Sequence, residues 1–151
     1  MAFWRVFLLA AAATVQAGPT TLEQHIDDAT GAGAVDCGTF STVHNGLALP
    51  PRPSSTATNK VESMRESLSC AERALKDHKG FKIIQSSPGP DAEIASGVLG
   101  NAEGVTIWFF TYSKPFGGRG YPQTFQTKPC SLTDVRIVPT PRGNHEFKCG
   151  E

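Results

Sequence analysis

The sequence predicts an α+β fold: one main amphipathic helix packed on an antiparallel meander sheet of four or five strands, with a short N-terminal helix ahead of it. Three observations carry this. Apolar residues recur at three- and four-residue spacing between about residues 60 and 78, the period shortens to two beyond Gly80, and the stretches of period two are separated by Gly, Pro and Asn turns that leave no room for a crossover helix. With 151 residues the chain suffices for one compact domain, and its 15 Gly and 11 Pro make that domain rich in loops.

At the N-terminus, Met1 to Arg5 supplies one positive charge, Val6 to Val15 is apolar apart from Thr14, and Val15-Gln16-Ala17 carries the small residues that a signal peptidase reads. Residues 1–17 are therefore expected to be a cleaved signal peptide. The apolar run of about ten residues is half the roughly 20 that a membrane-spanning helix needs, so no stable membrane anchor is expected after cleavage. No cysteine follows Ala17 to take a lipid, which makes the expected destination secreted or periplasmic. Basic and acidic side chains balance at 14 each, and losing Arg5 leaves one net negative charge. That balance excludes affinity built on phosphate neutralisation, so no nucleic-acid partner is expected.

Residues 18–58 read as a short helix followed by a Gly/Pro-rich loop segment. Thr21-Leu22-Glu23-Gln24 fits a capping box, with Leu22, Ile26 and Ala29 on one face of a helix over about 22–29. Gly31, Gly33 and Gly38 then interrupt regularity, and Pro50, Pro51 and Pro53 extend the expected loop to residue 58. The α+β core is expected over 59–151. Its helix, 60–78, is defined by Val61, Met64, Leu68, Ala71 and Leu75, with Glu72/Lys76 and Arg73/Asp77 as outer-face charge pairs and Gly80 as the stop. The expected strands are 81–86, 94–99, 105–113, 134–139 and 145–149.

The four cysteines, Cys37, Cys70, Cys130 and Cys149, all lie beyond the signal peptide, as suits two disulfides in an oxidising compartment. Three connectivities exist. Sequential pairing, Cys37 with Cys70 and Cys130 with Cys149, is preferred because it closes loops of 33 and 19 positions within modules that can be drawn separately. No closely spaced C-x2-C pair is present to hold zinc, and His145 with Cys149 is one His and one Cys in a strand-like stretch, so neither a metal nor another cofactor is expected.

Chemistry has two candidate places. The strand at 105–112 is apolar on both faces, with Val105, Ile107 and Phe109 on one and Trp108, Phe110 and Tyr112 on the other. The second stripe is either core, covered by the N-terminal segment and loops, or an exposed binding platform; core is the more common fate of aromatics in a central strand. Immediately beyond it, Lys114, Gly117, Gly118 and Arg119 form a glycine-rich turn whose N–H groups and two cations suit an anion, although the P-loop pattern is absent and an ordinary turn accounts for the same residues. Asp91, Glu93, His145 and Arg119 are the residues that a hydrolytic site would have to assemble, and no nucleophile stands beside a base in the sequence.

The succession Val35-Asp36-Cys37-Gly38-Thr39-Phe40, then Cys70-Ala71 and Ala74-Leu75 before Gly80-Phe81, then Asp91 and Tyr112-Ser113 before the Gly-rich turn, resembles uncharacterised small exported bacterial proteins and lipoproteins over about residues 35–130. The resemblance implies a bacterial envelope setting and brings no activity or catalytic residue. The chain departs from the lipoprotein members in having no cysteine at the cleavage site. The expected function is that of a non-enzymatic binding module of the envelope or extracellular space, inhibitor- or immunity-like, with a protein as its partner. The alternative is a small secreted hydrolase or anion-binding enzyme.

Overall fold

The structure, a computed structural model, describes residues 21–41, 55–88, 91–103, 107–115, 123–141 and 143–150; the signal-peptide reading of 1–17 falls outside them. The elements run α1 (Leu22–Thr30), β1 (Val35–Ser41), α2 (Ser55–Lys76), β2 (Phe81–Pro88), β3 (Ala92–Gly100), β4 (Ile107–Pro115), β5 (Thr124–Pro129), a 3-10 turn (Leu132–Asp134), β6 (Val135–Pro139) and β7 (His145–Cys149). The fold is α+β. A five-stranded sheet in the order β1-β2-β3-β4-β5 is antiparallel except for the parallel β1–β2 pair, and β6 with β7 forms a separate two-stranded ladder.

Three expectations change. Residues 35–41, read as loop, are an edge strand, and their alternation is concealed by a bulge: Asp36 pairs with Lys82 and Gly38 with Ile83, which leaves Cys37 as the extra residue. Gly38 takes φ 148°, and a Cβ there would run into the Ser67 hydroxyl. Parallel pairing of β1 with β2 requires a crossover, and α2 supplies it. Second, the last two strands do not extend the meander but stand apart as the β6–β7 hairpin, while the fifth strand of the main sheet is β5, absent from the expected set. Its sequence, Thr-Phe-Gln-Thr-Lys-Pro, carries one large apolar residue because both faces of this edge strand are largely exposed. Third, α2 begins at Ser55 rather than 60 and ends at Lys76. Its end is a Schellman motif in which the Lys79 N–H donates to the Ala74 carbonyl at 2.9 Å across His78 at φ 54°.

The sheet is covered on both faces. On one, Phe81, Ile83 and Val98 pack with Met64, Ala71 and Ala74 of α2 and with Val135 and Phe147 of the hairpin. On the other, Ala95, Leu99, Phe110 and Tyr112 pack with Ile26 of α1. The capping box of α1 is formed, with the Thr21 hydroxyl accepting from the Gln24 N–H at 3.2 Å and the Thr21 N–H donating to Gln24 Oε1 at 2.8 Å. Gly97 lets this layer close: a Cβ there would collide with the Ile83 carbonyl and crowd the Phe110 ring.

The hairpin docks through a buried amide. Gln85 Nε2 donates to the His145 carbonyl at 2.7 Å, and Gln85 Oε1 accepts from the Phe147 N–H at 3.2 Å, so one side chain pairs β7 as a strand backbone would. Two disulfides fasten the edges, Cys37–Cys70 tying β1 to α2 and Cys130–Cys149 tying the end of β5 to β7, the sequential pairing expected from spacing. Loop-closure entropy assigns them about 4 and about 3 kcal/mol. Replacing Gln85 by Leu strands one buried and one part-buried backbone group and is expected to cost about 2–4 kcal/mol in urea unfolding with both disulfides intact. A loss below about 0.5 kcal/mol would show that Gln85 does not hold the hairpin.

Candidate functional site

α1 packs over β3 and β4 and reaches Ile84 of β2, which leaves the sheet face open beside its N-terminal turn toward β1. The result is a cleft of about 500 Å³. Strand alternation sends Asp36 and Thr39 of β1, Lys82, Ile84 and Ser86 of β2, Glu93 of β3, and Tyr112 and Lys114 of β4 to this face, while Thr21, Leu22, Glu23 and Ile26 of α1 form the opposite wall. Half-buried Ile84 on the floor and Leu22 on the wall supply its accessible apolar surface. Asp36 is the cross-strand neighbour of Lys82, and Glu93 that of Lys114, so opposite charges sit toward the two ends of the cleft.

Neither of these pairs closes to an ion pair, in contrast to Lys148 and Glu146 on the hairpin at 3.3 Å. Asp36 is held in place, its Oδ1 accepting the Gly38 N–H at 2.9 Å across the bulge. Burial pushes the Tyr112 phenol above its ordinary range, and the Glu93 carboxylate adds to the shift, so the hydroxyl remains a neutral donor beside the cleft. A second cavity of about 330 Å³ lies on the other face against the hairpin, among residues that include Phe109, Lys128 and Glu146. Its Lys128 ammonium is already engaged, donating to the Cys149 carbonyl at 2.8 Å and standing 5.5 Å from the Phe109 ring centre.

The sequence-derived candidates divide accordingly. Phe110 and Tyr112 are 0% and 2% exposed beneath α1, and Trp108 packs half-buried against the same cluster, so of the two fates open to the stripe these residues take that of core. An apolar second face has to be covered, and α1 covers it. Tyr112 and Lys114 nonetheless border the cleft. Gly117, Gly118 and Arg119 fall outside the described residues.

The hydrolytic grouping does not assemble from its described members. Glu93 faces the cleft, whereas the His145 backbone is bonded by Gln85 on the opposite face, and Asp91 is exposed ahead of β3. The Cys149 sulfur is bonded to Cys130 and so cannot join His145 on a metal, and among the described residues no group of three or more His, Cys, Asp or Glu converges. Sequence reasoning missed Asp36, Thr39, Lys82, Ile84 and Ser86. The signal was present in β2, where Lys82, Ile84 and Ser86 alternate with Phe81, Ile83 and Gln85, but their significance depends on β1 lying alongside.

Tyr112 and Tyr121 are the two tyrosines of the chain. With a folded pKa above the unfolded value of about 10, Tyr112 contributes stability that is fully present below about pH 10 and lost as pH rises through its folded pKa. Alkaline absorbance titration is expected to show a late tyrosinate step that Tyr112→Phe removes, together with a smaller loss of stability at high pH in the variant. A single ordinary step in the parent protein would contradict the assignment. No family model, no curated protein and no solved structure matches this chain, so its site stands on its own geometry.

Proposed function

We propose that the protein is an exported, non-enzymatic binding module that takes an extended segment of a partner protein into the cleft between α1 and β1–β2. Two disulfides indicate an oxidising, non-cytosolic setting, and among the described residues no helix is long and apolar enough to cross a membrane. The N-terminal leader pattern supplies the route of export.

The observation that carries the binding reading is the apolar floor between two unclosed pairs of opposite charge. The six-residue step along β2 from Lys82 to Pro88, the latter paired with Glu93, spans about 20 Å, which suits roughly six residues of extended peptide. Such a segment meets Leu22 and Ile84 with an apolar side chain and offers charges of both signs to the ends. Fixed charges of alternating sign select register and exclude mismatched partners. An anion site is less well supported, because each ammonium in the cleft has a carboxylate as its cross-strand neighbour.

Fluorescence polarisation with fluorescein-labelled peptides of alternating lysine, leucine and glutamate tests this. Mixed-charge peptides are expected to bind more tightly than all-lysine or all-glutamate ones, and Ile84→Asp is expected to weaken them by about tenfold or more, equivalent to about 1.4 kcal/mol. Equal response to all three peptide sets, or no loss in Ile84→Asp, would contradict the proposal.

A further inference from the structure

The two edges of the main sheet are protected to different degrees. An edge strand displays unpaired N–H and C=O groups, and proteins blunt such edges with bulges, charges and proline. β1 is blunted in this way: its ladder is broken at Cys37, the Gly38 N–H is taken by the Asp36 carboxylate, and Cys37 is tied back to α2. At the other edge, β5 pairs with β4 along one side, and no backbone bond joins its other side to a described residue. Thr124 to Thr127 carry no charge and no bulge. The one cation of the strand, Lys128, is drawn to the Cys149 carbonyl and the Phe109 ring, and Pro129 ends the strand.

We infer that β5 is a self-association edge, pairing antiparallel with β5 of a second copy about a two-fold axis at Gln126. That register is self-complementary. It sets Gln126 against Gln126, where two neutral amides can exchange hydrogen bonds, and Phe125 against Thr127; each Lys128 faces a threonine, Thr124, rather than the other lysine. Phe125 is preorganised for this. Its ring stacks on His25 at 4.6 Å and on Phe110 at 5.6 Å, while the residue stays half-buried, leaving apolar surface for the partner's Thr127 to cover. The paired edge is at the far side of the sheet from β1, so self-association leaves the cleft open and does not depend on it.

A pairing of five residues on each strand buries less than a standard interface, so a weak, concentration-dependent dimer is expected, with Kd between about 10 µM and 1 mM. Sedimentation equilibrium of the oxidised protein from about 5 µM to 1 mM is expected to show the mass rising from one chain toward two. Gln126→Lys opposes two ammonium groups at the axis and is expected to raise Kd by about tenfold or more without moving the thermal midpoint at low concentration. Ser41→Lys, on the β1 edge, is expected to leave Kd unchanged. A one-chain mass across the whole range would overturn the inference, as would a dimer that Gln126→Lys does not weaken or that Ser41→Lys does.

Discussion

The central strands are apolar on both faces, and a sheet of that kind has to be covered twice. In β4 consecutive aromatics point opposite ways, Phe109 toward α2 and the hairpin, Phe110 toward α1. Neither face could be left to water: a phenylalanine-sized side chain loses about 1.5–3 kcal/mol of burial when exposed. The rest of the architecture answers this demand. α2 and the β6–β7 hairpin share one face, and the nine residues of α1 cover the other.

Covers this small need fixing. The hairpin makes its own two-stranded ladder and is fastened to the sheet by Gln85, whose amide satisfies two of its backbone groups, by Lys128, whose ammonium donates to the Cys149 carbonyl, and by the Cys130–Cys149 disulfide. α1 is seated by close approach: the Thr30 carbonyl lies where a Cβ on Gly80 would be, and Phe110 lies over Gly97. The cleft is a consequence of the same economy. One short helix does not cover the whole of a five-stranded face, and beside its N-terminal turn β1 and β2 present Asp36, Thr39, Lys82, Ile84 and Ser86.

What was legible in the sequence follows from how many neighbours each element needs to be recognised. The long helix declared itself through Val61, Met64, Leu68, Ala71 and Leu75, since a 3.6-residue period is local. The cysteine pairing was also accessible, because sequential pairing closes the shortest loops, of 33 and 19 residues. β1 was hidden because its bulge at Cys37 shifts Phe40 onto the face that strict alternation would have assigned to Thr39. β5 was hidden because an edge strand has few buried positions to display, and β6 and β7 were recognised as strands but placed in the wrong sheet, since period two reports a pleat and not a partner. Of the site, Tyr112 and Lys114 were singled out for other reasons. The polar residues of β1 and β2 were not, because what makes them a site is adjacency across a parallel pair that sequence alone does not display. Gln85, a polar residue among apolar strand positions, was the one local sign that something had to dock there.

The seating of α1 on the aromatic stripe is the point on which both the core and the cleft depend. It can be read directly from nuclear Overhauser contacts in the oxidised protein. Contacts from the Ile26 methyl groups to the rings of Phe110 and Tyr112, and from the His25 ring to Phe125, are the expected result. Their absence, with the resonances of residues 22–30 at random-coil positions, would mean that the second face of the sheet is open and that the account of the site is wrong.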